Sequence, residues 1–232
     1  MSSDSPGEVP SRMARLGGPC GRNTSRGGLI VVSAPSGAGK SSLIERVLTR
    51  VPDLQYSISY TTREARGAEC DGVDYHFVTE PEFLGMRERG EFIESARVHG
   101  HLYGTRASAI EADMAAGRDV ILDIDVQGAE QIREKVSEAI TIFVLPPSQR
   151  ALVDRLSRRN LNTPEDLARR LRNASSEVRK FNSFDYVIIN DELERASAAL
   201  ESIVLAERNR PPRQRHCIET IIETFRDGVS NG

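Results

Sequence analysis

The amino-acid sequence predicts an α/β fold, a parallel sheet flanked by helices, and three observations carry that prediction. Leu29-Ile-Val-Val32 is a short apolar run entering a glycine-rich turn, followed by Leu43-Ile-Glu-Arg-Val-Leu48 with apolar residues at helical spacing. Residues 119–124, 140–145 and 185–190 are further apolar runs separated by helical stretches. Such near-continuous apolar strands suit a parallel sheet covered on both faces. Residues 55–105 break this alternation and read as a small mixed, β-rich insertion.

Each element follows from its own residues. Residues 1–27 are rich in Gly, Ser, Pro and Arg and poor in apolar side chains, the composition of a disordered N-terminal extension. Four arginines there raise the alternative of a transit peptide. However, Asp4, Glu8 and the prolines spoil an amphipathic helix, and no apolar stretch for secretion is present. The α/β core is expected over 28–54, 106–147 and 181–210. Leu54-Gln-Tyr-Ser-Ile-Ser-Tyr60 alternates weakly like one strand, and Asp74-Tyr-His-Phe-Val78 forms another. Thr79-Glu-Pro-Glu-Phe83 starts a helix with Pro81 in its first turn, and Gly90 is placed to end it. Residues 91–98 and 101–104 read as a hairpin turning at His99-Gly100.

From Ala107 a helix runs to Gly117, and the strand over 119–124 leads to a helix starting near Ala129. Pro146-Pro147 ends the strand over 140–145. Two helices follow, one from Ser148 to about Arg158 and one opening on Thr163-Pro-Glu-Asp166, where threonine caps and proline occupies the first turn. Helices over roughly 192–209 and 214–226 finish the chain. The latter, in the tail 211–232, sets Ile218, Ile221, Ile222 and Phe225 on one face, which is expected to dock onto the body.

Composition narrows the function. Charged residues are 28% of 232 and hydrophobic ones 38%, as in soluble globular proteins. A net charge of −3 argues against general nucleic-acid binding. No apolar run approaches the roughly 20 residues of a membrane helix, so no membrane association is expected. Cys20, Cys70 and Cys217 are odd in number and scattered. They fit neither a disulfide framework nor a zinc site and suit a reducing cytosol, hence a cytoplasmic protein.

The chemistry begins at Ser33-Ala-Pro-Ser-Gly-Ala-Gly-Lys-Ser-Ser42. Strand, glycine-rich turn and helix let successive backbone N–H groups curl around an anion at the positive end of the helix. Ala34, Pro35, Ser36, Gly37, Ala38, Gly39, Lys40, Ser41 and Ser42 are therefore expected around a nucleoside triphosphate. Lys40 brings charge to the outer phosphates and Ser41 a hydroxyl to Mg²⁺. The general motif wants glycine where this chain has Ala34, and the alternative is an ordinary strand-to-helix loop. Asp123 ends an apolar strand, where open α/β sheets place ligands, and can organise Mg²⁺ facing Ser41. The plainer reading makes it a helix cap for the segment from Gln127. Asp125 points the same way, beyond the metal. Between Gln149 and Lys180 nine basic residues stand against four acidic ones, an excess suited to a lid closing over phosphates.

Together these segments resemble guanylate kinase. The resemblance rests on the phosphate loop, Ser59-Tyr-Thr-Thr-Arg63 with Arg66, Gly72-Val-Asp-Tyr75, Phe92-Ile-Glu94, Tyr103-Gly-Thr105 and Leu122-Asp-Ile-Asp-Val-Gln-Gly128, in order within 28–210. It implies a P-loop kinase fold with a GMP-binding insertion (55–105) and a mobile lid (148–180), transferring phosphate from ATP to GMP or dGMP with Mg²⁺. It further implies that Ser59, Arg63, Arg66, Tyr75 and Tyr103 hold the GMP phosphate and that Glu94, Thr105 and Asp125 face guanine. Asp123 would serve the metal, Arg155, Arg159 and Arg170 the lid, and Asn190 the adenine. Asn160 and Leu102 depart from the family's usual glycine and tyrosine. Oligomeric state stays open.

The residue inventory agrees with such a reaction. A phosphate monoester is largely a dianion at neutral pH, its second pKa being about 6, so no general base is required. Two other classes remain at this stage. A non-enzymatic module of the same fold would have no need of Lys40, Ser41 and Asp123. A P-loop kinase acting on another acceptor, such as a ribose bisphosphate, would have no use for Glu94, Thr105 and Asp125.

Overall fold

A computed structural model describes residues 26–98, 100–158 and 164–229. Strand β1 (Leu29–Ser33) runs into the glycine-rich loop and helix α1 (Lys40–Leu48). Then come β2 (Leu54–Tyr56), β3 (Tyr60–Thr61), β4 (His76–Phe77) and helix α2 (Glu80–Glu88). A capping box starts α2: the Thr79 hydroxyl accepts from the Glu82 N–H while the Glu82 carboxylate accepts from the Thr79 N–H at 2.8 Å. Gly90 follows at φ 68°, the left-handed turn glycine allows. The hairpin is β5 (Phe92–Val98) and β6 (His101–Arg106). Helix α3 (Ala107–Ala115), β7 (Asp119–Asp123), α4 (Val126–Lys135) and β8 (Ile140–Leu145) come next. Helices α5 (Gln149–Arg158) and α6 (Pro164–Glu177) precede a 3₁₀ turn, β9 (Tyr186–Ile189), α7 (Leu193–Arg208) and α8 (Pro211–Val229).

Five strands form one parallel sheet in the order β2-β7-β1-β8-β9. Along β1, Ile30 and Val32 pack with Leu43, Ile44 and Val47 of α1 and with Leu200 and Val204 of α7. Leu29 and Val31 face the other way, toward Ile110 and Met114 of α3 and Ala129 and Ile132 of α4. Helices thus cover both faces, and β1 is apolar from Leu29 to Val32 because neither side meets water. A second, mixed sheet, β4-β3-β6-β5, lies wholly within residues 60–106. No helix among the described residues is long and apolar enough to cross a membrane.

Four expectations are corrected. Residues 54–60 are not one strand: β2 extends the parallel sheet beside β7, and β3 belongs to the second sheet. Helix α4 starts at Val126 rather than near Ala129, because the Asp125 side chain accepts the Gly128 N–H and caps it. The apolar face of α8 does not dock: Ile218, Ile221, Ile222 and Phe225 are exposed. Arg213, near the start of α8, is instead bound to the buried Asp119 at 2.6 Å. A periodic stripe shows which face is apolar but not whether a surface awaits it. Finally, Cys70 is a free, exposed thiol, whereas Cys217 is disulfide-bonded. An odd, scattered set of cysteines thus did not exclude a disulfide, and the cysteines no longer argue for a reducing compartment. The expected N-terminal extension, apart from its last two residues, lies outside the described residues.

Candidate active site

The C-terminal ends of β1 and β7 and the second sheet enclose a cleft of about 240 Å³. Residues 34–41, Ser59, Tyr75, Glu94, Tyr103, Asp123 and Asp125 line it. Gly37 and Gly39 stand at φ 92° and 90°, where a side chain would be strained. A Cβ on Gly39 would also come within 2.6 Å of the Asn190 amide nitrogen. Ala34 has no positive φ, so the general motif's glycine is not needed there.

Asp123 ties the loop to the next strand. One of its oxygens pairs with Lys40 Nζ at 2.6 Å and the other accepts from Ser41 Oγ at 3.0 Å. Lys40 also donates to the Ile124 carbonyl at 2.6 Å. The helix-cap reading thus belongs to Asp125, not Asp123, and Asp125 does this while lining the cleft. Ser42 is exposed on α1 and does not line the cleft.

On the second sheet, Glu94 is 3% exposed, and its Oε1 accepts from the buried Thr105 hydroxyl at 2.5 Å. Ser59 Oγ lies 3.3 Å from the same hydroxyl. Burial pushes the Glu94 carboxyl up to about 7, and nearby Asp125 adds to the rise, while the bond from Thr105 opposes it. Tyr75 is likewise pushed up to about 12, by burial first and then by Asp123.

Arg63 is buried beside this wall but does not line the cleft. Its guanidinium forms a fork with Glu69 at 2.8 and 2.9 Å and sits 5.3 Å from the Tyr75 ring centre. Its pKa is raised: burial works against the charge, and bonds to Glu69 and Tyr103 outweigh it. Arg66 is exposed, and its backbone N–H donates to Glu69. Glu69 organises both arginines, yet nothing in the sequence marks it beyond its closeness to them.

The arginines expected in a lid are less convergent. Arg155 donates to the carbonyls of Ala38 at 3.0 Å and Asn190 at 2.7 Å, bracing the loop rather than entering the cleft. The Asn190 side chain donates to the same Ala38 carbonyl at 2.8 Å. Arg170 is half-buried on α6 outside the lining, and Arg159, like Asn160, lies outside the described residues. Sequence reasoning missed Glu177, the last residue of α6, which does line the cleft. Burial and then Asp125 raise its pKa, while the Ser36 backbone N–H and Lys40 counter them.

A cleft of this kind can cradle a polyanion at one end and meet hydrogen-bond donors with carboxylates at the other. The family model described as guanylate kinase matches residues 26–207. A guanylate kinase of Nitrosomonas europaea is 52% identical over 186 residues, covering 80% of this chain and 92% of that protein. One of Thermotoga maritima is 47% identical over 194 residues, covering 84% and 94%. The crystal structure of guanylate kinase from Anaplasma phagocytophilum superposes with a TM-score of 0.70 at 33% identity, over 82% of this chain and 90% of that one. A match of this extent, joined to the loop and cleft geometry, makes the chain a member of the guanylate kinase family.

Proposed function

We propose that this cleft transfers the γ-phosphate of ATP to GMP or dGMP, giving ADP and GDP or dGDP. The observation that carries the reading is Glu94, a nearly fully buried carboxylate held by Thr105 in the same cleft as the phosphate loop. Guanine presents N1–H and a 2-amino group as donors and O6 as an acceptor. Ionised Glu94 accepts both donors, and Thr105 and Asp125 complete the base site.

The loop N–H groups and Lys40 bind the donor phosphates, with Asn190 toward the adenine. Arg155, Arg159 and Arg170 we assign to the donor as well, Arg155 after exchanging its carbonyl partners for phosphate oxygens. Arg63, Arg66, Ser59, Tyr75 and Tyr103 receive the acceptor phosphate, Arg63 by exchanging Glu69 for it. The acceptor is already largely a dianion at neutral pH, so one of its oxygens attacks the γ-phosphorus directly while the bond to ADP breaks in line. What the chain supplies is charge cancellation and alignment, with the lid excluding water.

Ser41 Oγ and an Asp123 oxygen, 3.0 Å apart, form a pair of hard donors that fits Mg²⁺, an ion that takes one or two protein oxygens beside phosphate and water. Bound there, Mg²⁺ would neutralise charge on the β- and γ-phosphates. A cytoplasmic location goes with this reading, since both substrates are nucleotides of general metabolism.

An ATP-coupled assay against a panel of nucleoside monophosphates and a ribose bisphosphate tests it. GMP and dGMP should be used, with AMP slower in kcat/KM by about 10⁴ or more, because adenine leaves the carboxylate unpaired. AMP turnover equal to that with GMP, or no turnover at all, would overturn the proposal.

A further inference from the structure

Helix α4 lays one face against strand β5, and that face brackets Glu94. Gly128, Gln131 and Lys135, spaced by three and four, lie along it. Gln131 accepts from the Ser95 N–H at 3.1 Å and donates to the Ser95 carbonyl at 2.8 Å. Lys135 donates to the Ile93 carbonyl at 2.6 Å. The residues on either side of Glu94 are therefore pinned to α4, and Glu94 itself rests on Gly128.

A Cβ at position 128 would stand 2.6 Å from Glu94 Oε2, 3.2 Å from its Cδ and 3.3 Å from Ile124 Cδ1. On its other oxygen the carboxylate is held by Thr105 at 2.5 Å. Gly128 has no positive φ, so backbone strain does not call for glycine here. Within a helix, glycine also weakens the element relative to alanine. Its N–H meanwhile fixes Asp125 Oδ1 at 2.9 Å, so this one residue borders both carboxylates of the base site.

We propose that Gly128 is a specificity-determining positioning residue, whose missing side chain leaves the space in which Glu94 is aligned toward guanine. The proposal rests on the reading of Glu94 as the guanine acceptor. A methyl at 128 meets the far end of a flexible side chain, so the carboxylate moves and the fold does not. The loss falls on the acceptor nucleotide and spares ATP.

The test is Gly128→Ala in the full chain, with GMP and ATP varied separately and thermal melting followed. KM for GMP should rise about tenfold or more, the loss of one good bond to a charged group. KM for ATP should stay within about twofold and the melting temperature should not fall, because alanine is the better helix former. In a Glu94→Asp background, whose shorter carboxylate no longer reaches the methyl, the same change should cost less than about threefold. A rise in both KM values together, a lower melting temperature, or an equal cost in both backgrounds would overturn the proposal. Glu94→Gln separates the two claims. If it leaves KM for GMP unchanged, the guanine reading fails; if it raises KM while Gly128→Ala does not, only the role of Gly128 fails.

Discussion

With Glu94 as the guanine acceptor proposed above, GMP binding depends on pH in a definite direction. Burial raises the Glu94 carboxyl from an ordinary 4.5 to about 7. Guanine offers donors, so the ionised form binds and affinity falls as pH drops through 7. With a pKa of about 7, the ionised fraction is about 10/11 at pH 8 and about 1/11 at pH 6, a tenfold difference in kcat/KM for GMP. GMP's own phosphate adds a separate break near about 6. Initial rates at sub-saturating GMP across pH 5.5–8.5 should therefore show two breaks in wild type and only the lower one in Glu94→Gln. Profiles that run parallel in the two proteins between pH 6 and 8 would refute the reasoning. The same carboxyl bears on stability. A raised folded pKa contributes stability that is full below 4.5 and lost as pH rises through 7. Moving from 4.5 to about 7, at about 1.4 kcal/mol per pH unit, sets an upper bound of about 3.5 kcal/mol. Glu94→Gln, which cannot ionise but still accepts from Thr105, should melt above wild type at pH 8, with the gap closing by pH 5.

Two further predictions concern charge at opposite ends of β7. Lys40→Ala should lower kcat by at least about 10² while the circular dichroism spectrum is unchanged, as the proposed use of its charge on the transferring phosphate requires; wild-type turnover would remove the loop from the mechanism. Asp119→Ala should cost about 3–5 kcal/mol in chemical denaturation. That carboxylate is buried at the start of β7 and accepts from Arg208, Arg213 and the Gly28 N–H, each at 2.6 Å. Burial works against its charge and these bonds overcome it, so its contribution is present above pH 3.8 and lost below. Both nucleotide KM values should be unaffected, and an unchanged denaturation midpoint would show that the clamp contributes nothing.

What the sequence determined by itself is local. The apolar run, the glycines and the helical spacing around Lys40 announce strand, loop and helix because each depends on neighbours a few residues away. The capping box at Thr79 and the two-sided apolar strands are legible for the same reason. The motifs naming Glu94, Thr105 and Asp125 also lie in the sequence, as a pattern of residue types at fixed spacing. Only the tertiary structure decided which partners those groups take. It assigned Arg63 to Glu69 and Arg155 to the Ala38 carbonyl, made Asp125 a helix cap, divided residues 54–60 between two sheets and left the apolar face of α8 exposed. It also turned Gly128 from an unremarked member of a motif into the floor beneath Glu94. Periodicity records only which face of an element is apolar. The identity of what buries it, and the charge it meets there, is set by close packing between segments far apart in the chain.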